Sequence, residues 1–202
     1  MSRGRSPAPD SFEALLEATA GRRRLRSSVR TPWGRVRLRD PRLADAPAVH
    51  GILLGVLAEG SGFVALPEEV GTDPAPTARA LSGIEAGDGV GTVAELDGRV
   101  VGYAFARPPG PTRLSHVIHL DIALEPGVRG GGVGGALLDH LIEQARSHGR
   151  FRKLSLAVFA DNEAAVGLYR SRGFLDEGLR REEVQGPDGR FRDDRLMALS
   201  VV

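Results

Sequence analysis

The feature that most constrains this chain is a run of glycines at positions 130–135, which only Val133 interrupts. Glycine loses more backbone entropy on folding than any other residue, so such a run indicates positive φ angles or close approach by another group. Leu137 and Leu141 follow at helical spacing, so the run opens a helix. A helix N-terminus attracts anions through unpaired N–H groups and the helix dipole, and Arg129 adds positive charge. We therefore expect the turn to bind a pyrophosphate rather than to serve only as a tight connection.

The same letters also fit the dinucleotide fingerprint Gly-x-Gly-x-x-Gly, as Gly130, Gly132 and Gly135. In that fold the fingerprint directly ends the first strand of a long series of alternating strands and helices. Here residues 125–129 separate the preceding strand from the turn, antiparallel-looking strands come before it, and little chain follows. The context argues against a dinucleotide. A P-loop is excluded because the chain contains no Gly-x-x-x-x-Gly-Lys.

Composition narrows the class of protein. The 202 residues fit one folded domain, and 41% hydrophobic and 26% charged residues are typical of a globular protein. The net charge is +1 with basic residues spread along the chain, which argues against a nucleic-acid partner. The absence of cysteine excludes disulfides, thiolate metal sites and a cysteine acyl intermediate. No apolar run approaches the ~20 residues that span a bilayer, and none resembles a signal peptide, so we expect no membrane partner and a cytoplasmic location.

The chain divides into a tail and a domain. Residues 1–33 mix Ser, Pro and Arg and are predicted to be a solvated tail, partly disordered or helical, in preference to a nucleic-acid or partner contact. Residues 34–202 carry regular periodicity. Strands are predicted over 34–39, 92–96, 99–105, 117–124, 153–159, 174–184 and 190–202, and helices over 44–59, 77–86, 133–148 and 161–172. Asp97-Gly98 predicts a tight hairpin turn, and residues 60–73 are predicted as loop.

Two motifs in order resemble the GNAT superfamily of acyl-CoA N-acyltransferases. Arg129-x-x-Gly132-x-Gly134 is similar to the family's Gln/Arg-x-x-Gly-x-Gly/Ala motif. Residues 162–174 are similar to its Asn-x-x-Ala-x-x-Leu-Tyr-x-x-x-Gly-Phe segment. The resemblance is sharpest over residues 117–174 and does not cover the tail. It implies an α/β (α+β) fold with a mixed, mostly antiparallel sheet, a central splayed pair of parallel strands and helices on both faces.

The resemblance also implies an N-acetyltransferase that moves the acetyl group of acetyl-CoA directly to a primary amine in a ternary complex. The pantetheine arm would lie along the strand that ends at Leu124. Residues implied in coenzyme binding are Ile122, Ala123, Leu124, Arg129, Gly130, Gly131, Gly132, Val133, Gly134, Gly135, Asn162, Ala165 and Tyr169. Tyr169 also matches the position that protonates the coenzyme sulfur. Asn162 is equally typical of a helix N-cap, and Tyr169 of core filling.

The motifs define the general base less well. Relatives that acetylate ribosomal protein N-termini tend to carry a glutamate on the strand after the glycine helix, where this chain has Ala157. Other relatives place a carboxylate on the preceding strand, where His119 and Asp121 share the polar face. Because an imidazole titrates near neutral pH, we predict His119 as the base. No set of His, Asp and Glu has metal-ligand spacing, so no metal is predicted.

A small-molecule amine is the predicted acceptor. The alternatives are a protein or peptide N-terminus, as in ribosomal-protein acetyltransferases, and a non-catalytic module that binds CoA or a dinucleotide. The resemblance places the acceptor pocket at about residues 44–86, which include Phe63, Leu66, Glu68 and Glu69. A homodimer is common in the family, and the oligomeric state of this chain stays open.

Overall fold

The computed structural model describes residues 27–60, 62–186 and 188–202, and within these ranges eight strands form one sheet. The strands are β1 (Ser28–Thr31), β2 (Gly34–Arg39), β3 (Val90–Leu96), β4 (Arg99–Arg107), β5 (Val117–Leu124), β6 (Lys153–Phe159), β7 (Leu175–Gln185) and β8 (Phe191–Ser200). Their order across the sheet is β1-β2-β3-β4-β5-β6-β8-β7. All neighbouring strands are antiparallel except β5 and β6, which are parallel.

Helices cover both faces of this sheet, as predicted. They are α1 (Ala46–Ala58), α2 (Pro67–Val70), α3 (Ala75–Glu85), α4 (Val133–Ser147) and α5 (Glu163–Arg170). Helices α1 and α3 pack on the face of the sheet that carries Val93 and Tyr103. Helices α4 and α5 pack on the opposite face, over Val101 and Ile118. Each face therefore has its own apolar core.

The parallel pair in the middle of the sheet is short. Residues Val117, Ile118 and His119 of β5 pair with Lys153, Leu154 and Ser155 of β6. Both strands continue beyond this point without pairing, so a gap opens between them, and the predicted splay is confirmed. Strand β6 stays paired with β8 along its whole length.

Strand β5 follows β4 instead of β6 as far as the Leu124–Gly102 pair. A side chain at position 102 would collide with Leu124 and with the carbonyl of Ala123. Glycine at this position therefore lets the end of β5 lie against β4, away from β6. The missing side chain helps to set the width of the gap.

Two elements differ from the predictions. Strand β1 falls inside residues 1–33, so the sheet begins six residues before Gly34. The sequence pattern did not predict this strand, because Val29 is its single large apolar residue and gives no alternating pattern. The short helix α2 falls inside the predicted loop and is started by Pro67. Residues 1–26, which make up the rest of the predicted tail, lie outside the described part of the chain.

Substitution of Leu154 tests whether the residues of the short parallel ladder contribute to the hydrophobic core. Its side chain is fully buried, so Leu154→Ala should lower the free energy of unfolding by about 2–5 kcal/mol. Leu175→Ala is the matched control, because Leu175 is 73% exposed and should change stability by less than about 0.5 kcal/mol. Urea unfolding followed by circular dichroism measures both, and equal losses would contradict this assignment of the core.

Candidate active site

The glycine turn leads into α4, and each glycine in it has an identifiable reason. Gly130 and Gly132 have φ angles of 77° and 82°, which side chains rarely adopt. A side chain at Gly131 would collide with Trp33, which lies in the turn between β1 and β2. Gly134 faces Leu124 at the end of β5. The turn is thus shaped by its φ angles and by close contacts with the β1–β2 turn and with the end of β5.

The first turn of α4 leaves backbone donors free. Gly132 is the N-cap, and the first hydrogen bond of the helix runs from the N–H of Ala136 to the carbonyl of Gly132, at 3.1 Å. The N–H groups of residues 133–135 therefore have no partner within the helix. Together with the helix dipole, they form a site suited to a phosphate group.

Arg129 does not add a free positive charge at this turn, contrary to the prediction. Its guanidinium binds both carboxylate oxygens of Glu59, the C-cap of α1, at 2.6 and 2.8 Å. It also donates to the carbonyl of Leu124 from Nε and Nη2, at 3.1 and 2.8 Å. Arg129 therefore joins the end of β5, the glycine turn and the end of α1.

The cation beside the turn is Arg172, which the sequence analysis missed. A side chain at Gly135 would collide with the Arg172 guanidinium, so the two are in close contact. The Nε of Arg172 donates to Asp139 one helical turn further on, at 3.1 Å, and Nη1 donates to Ser171 Oγ at 2.7 Å. The sequence signal for this contact was Gly135, the fifth glycine of the run. A helix N-terminus that only binds a phosphate does not require glycine at this position.

The polar face of β5 forms one wall of the gap. His119 and Asp121 are both exposed on this face, while the next residue on it, Ala123, is buried under α1. His119 lies opposite Arg107 of β4, and Asp121 lies opposite Phe105. Ile122 and Leu124 point to the other face, where they pack against the core. Beyond His119, the backbone groups of β5 on the β6 side have no strand partner and face the gap.

His119 is held at the edge of the gap. Its Nδ1 lies 3.1 Å from Ser155 Oγ, across the last paired position of the parallel strands. Ser155 is buried, and its hydroxyl also lies 3.4 Å from the carbonyl of Ile118. The imidazole is therefore anchored where the strands are still joined.

Helix α5 carries other residues that the resemblance implies in coenzyme binding. Asn162 caps the helix by accepting a hydrogen bond from the N–H of Ala165, at 3.1 Å, so the N-cap interpretation of Asn162 holds. Tyr169 is 6% exposed and packs on Phe174 with ring centroids 5.6 Å apart. Burial raises the pKa of the Tyr169 hydroxyl, and the nearby Asp121 carboxylate raises it further. This hydroxyl keeps its proton at neutral pH and can donate it.

Asp121 lies in an environment that disfavours its charge. Desolvation raises the pKa of its carboxyl group above the ordinary value, and the positive charges of Arg107 and His119 offset only part of this effect. The side chain is exposed to the gap, yet Phe105 lies directly opposite on β4. A carboxyl group of this kind accepts protons more readily than one in open solvent.

A cavity of about 190 Å³ lies at the end of β6, beside the C-terminus of α1. Phe63, Leu66, Phe159 and Arg192 are among the side chains that line it. The Arg192 guanidinium stacks on Phe159 at 4.0 Å and forms an ion pair with Asp161 at 2.6 Å. The structure thus brings Phe63 and Leu66 of the predicted acceptor region to a real cavity.

Glu68 and Glu69, the two glutamates named in the predicted acceptor region, do not line this cavity. Glu69 accepts a hydrogen bond from the N–H of Leu66 at 2.8 Å and so caps α2, while Glu68 is exposed. A larger cavity of about 350 Å³ lies along α1 near Arg99 and Glu125. Residues of the predicted acceptor region such as Gly51 and Gly55 line it, but none of the predicted catalytic or coenzyme-binding residues does. The volume of a cavity therefore does not by itself identify the active site.

Within the described ranges, no group of three or more His, Asp or Glu side chains is placed to hold a metal ion. None of the helices found there has the length and apolar character needed to cross a bilayer.

Comparison with known proteins agrees with the resemblance drawn from the motifs. Residues 63–174 match the model of the acetyltransferase (GNAT) family. A ribosomal protein bS18-alanine N-acetyltransferase of Escherichia coli is 41% identical over 88 residues, which are 44% of this chain and 58% of that relative. The match thus spans little more than half of the relative's length. N-alpha-acetyltransferase RimI of Mycobacterium tuberculosis is 36% identical over 122 residues, 59% of this chain and 74% of that protein.

Solved structures show the same fold. A phosphinothricin acetyltransferase from Sinorhizobium meliloti, in complex with AcCoA, superposes with a TM-score of 0.74 at 25% identity. The superposition covers 87% of this chain and 89% of that one. The family model, the relatives and the splayed sheet agree: the chain belongs to the acetyltransferase (GNAT) family.

Proposed function

We propose that this protein transfers the acetyl group of acetyl-CoA to a primary amine of a small molecule, by direct attack in a ternary complex. The observation that carries the proposal is the gap between β5 and β6, which opens beyond His119 and ends at the unpaired N–H groups of α4. A long, flexible thioester with a pyrophosphate at its middle fits such a gap, with the phosphates at the helix and the thioester between the strands.

The glycine turn would bind the pyrophosphate through the N–H groups of residues 130–135. Arg172 supports this role, because its guanidinium lies on Gly135 and, among the described residues, hydrogen-bonds to the exposed carboxylate of Asp139 and to Ser171. A doubly charged phosphate bridge would compete well for these donors. The pantetheine arm would follow Ile122–Leu124, with Asn162 and Ala165 on the opposite wall.

The chemistry requires three events. The amine nitrogen attacks the thioester carbonyl carbon, the carbonyl oxygen gains negative charge near the free N–H groups of β5, and the carbon–sulfur bond then breaks. Tyr169 would protonate the departing thiolate, a role supported by a hydroxyl that is protonated at neutral pH and lies near Asp121. The acceptor enters as an ammonium ion and loses two protons: one replaces the proton that Tyr169 gives to sulfur, and one is released to solvent. The products are an amide and coenzyme A.

The acceptor class is supported by the cavity beside Phe159. A volume of about 190 Å³ is small for a ligand pocket, which favours a compact acceptor over an extended peptide. A peptide N-terminus is the second candidate, because the E. coli and M. tuberculosis relatives carry the names of protein N-acetyltransferases. The S. meliloti neighbour carries the name of an enzyme for a small molecule, phosphinothricin.

An acceptor panel tests the proposed function. Release of free thiol from acetyl-CoA should be measured with alkyl amines, free amino acids and peptides that start with Ala or Ser. We expect the highest kcat/KM with a small amine or amino acid. A clear preference for the peptides would favour the second candidate, and acetyl-CoA binding without turnover on any acceptor would contradict an enzymatic function.

Tyr169→Phe tests the proton donor. Removing the hydroxyl should lower kcat about 10²-fold or more, because the thiolate would leave unprotonated. The affinity for acetyl-CoA should change little, since the ring still packs on Phe174. Trp33, the only tryptophan, lies against the glycine turn, so its fluorescence can report acetyl-CoA binding. An unchanged kcat would remove Tyr169 from the mechanism.

Arg172→Ala tests the phosphate contact. Loss of a charge-assisted hydrogen bond worth about 1.5–3 kcal/mol should weaken acetyl-CoA binding at least tenfold. Arg170→Ala is the matched control, because Arg170 lies two residues away and pairs with Asp176 instead. Titration of Trp33 fluorescence measures both dissociation constants. Equal effects of the two changes would show that Arg172 makes no specific phosphate contact.

A further inference from the structure

We infer that Arg192 binds a carboxylate of the acceptor, and that the acceptor is therefore a free amino acid with an apolar side chain. This inference rests on the proposed function and narrows its substrate class. It also separates the two candidate acceptors, because the first residue of a peptide has an amide where a free amino acid has a carboxylate.

The cavity at the end of β6 has the chemistry that such an acceptor requires. Its walls are mainly apolar and include Leu57, Phe63, Leu66 and Phe159. Of the described residues that line it, Arg192 of β8 is the one that carries a charge. A small cavity with apolar walls and a single cation fits a compact ligand that has an apolar part and one negative charge.

The Arg192 side chain is already held in place at this cavity. Its guanidinium stacks on the ring of the buried Phe159 at 4.0 Å. Nε and Nη2 donate to the carboxylate of Asp161 at 3.2 and 2.6 Å, and Nη1 donates to the carbonyl of Gly60 at 3.4 Å. Because these contacts fix the guanidinium, it loses little side-chain entropy when it binds a ligand.

The guanidinium of Arg192 keeps donors for a second carboxylate. It has five N–H groups, and the hydrogen bonds to Asp161 and Gly60 use one on each nitrogen. One N–H of Nη1 and one of Nη2 therefore have no partner in the described part of the chain. Two parallel N–H groups match the two oxygens of a carboxylate, so Arg192 can bind this group in a bidentate manner.

The ion pair with Asp161 leaves Arg192 able to attract an anion. The Asp161 side chain is 64% exposed, and water screens its attraction to the guanidinium. A ligand carboxylate inside the cavity is less exposed to water, so its attraction to the same guanidinium is stronger. Arg192 thus provides positive charge on the cavity side, while Asp161 holds it from the solvent side.

The cavity lies at the level of the proposed thioester. The parallel strands last pair at His119 and Ser155. Phe159 lies four residues beyond Ser155 on the same face of β6, and Ala123 lies four residues beyond His119 on the same face of β5. At about 3.3 Å per residue, both are about 13 Å beyond the closed end of the gap. The thioester is proposed to lie along residues 122–124, so an acceptor bound beside Phe159 is at the same end of the gap.

A comparison of acceptors tests the inference on the wild-type chain, with thiol release from acetyl-CoA as the measurement. Leucine, methionine and phenylalanine are each compared with their carboxamides, which keep the amino group and the side chain but lack the negative charge. For the best of the three, we expect kcat/KM to be at least about tenfold higher for the amino acid than for its carboxamide. Amine reactivity cannot produce this preference, since the neighbouring carboxylate stabilises the unreactive ammonium form.

Arg192→Gln tests whether this side chain is the source of the preference. The change should lower kcat/KM for the amino acid at least about tenfold, mainly through KM, and for the carboxamide less than about threefold. Arg190→Gln is the matched control, because Arg190 belongs to the same hairpin but its side chain is 87% exposed, and neither value should change. Unchanged binding of acetyl-CoA, followed through Trp33 fluorescence, would show that both variants are folded.

Three results would overturn the inference. The first is a wild-type kcat/KM that is equal for amino acids and carboxamides or higher for carboxamides, and this result needs no variant. The second is an equal loss of both activities in a folded Arg192→Gln variant, which would give Arg192 a structural role only. In both cases thiol release by the wild type would leave the proposed function intact. The third is an absence of thiol release by the wild type with every acceptor, which would refute the proposed function together with this inference.

Discussion

The site depends on how briefly β5 and β6 pair. The ladder holds Ile118 beside Leu154, both fully buried, and ends at the next residue pair. Beyond it, each strand has another neighbour, since β5 follows β4 and β6 follows β8. The backbone groups that face the gap must then be paired with water or a ligand, because leaving them dry costs about 1–3 kcal/mol each. The gap is thus lined by main-chain donors and acceptors that can bind a ligand.

Arg129 couples this gap to the C-terminus of α1. Its guanidinium contacts the carbonyl of Leu124 at the end of β5 and the carboxylate of Glu59 at the end of α1. The Arg129 and Glu59 side chains are 41% and 28% exposed, so the pair contributes little to stability. Its effect is geometric, because Arg129 holds the C-terminus of α1, the glycine turn and the last residue of β5 to one another.

Local patterns in the sequence were sufficient for much of this structure. The glycine turn and the helix after it follow from short-range spacing, and the family resemblance of the two motifs implied the splayed sheet. What they could not predict are contacts between distant residues. The partner of Arg129 is Glu59, and the residue that engages His119 is Ser155, and neither pairing leaves a periodic signal.

The most direct test of the account is the electron density of coenzyme A in crystals of the protein. The account predicts the pyrophosphate at the N–H groups of residues 130–135 and the pantetheine between β5 and β6, with the sulfur beside Tyr169. Coenzyme A bound elsewhere, for example in the cavity along α1 near Arg99, would contradict it. So would a structure in which β5 and β6 close the gap and exclude the coenzyme.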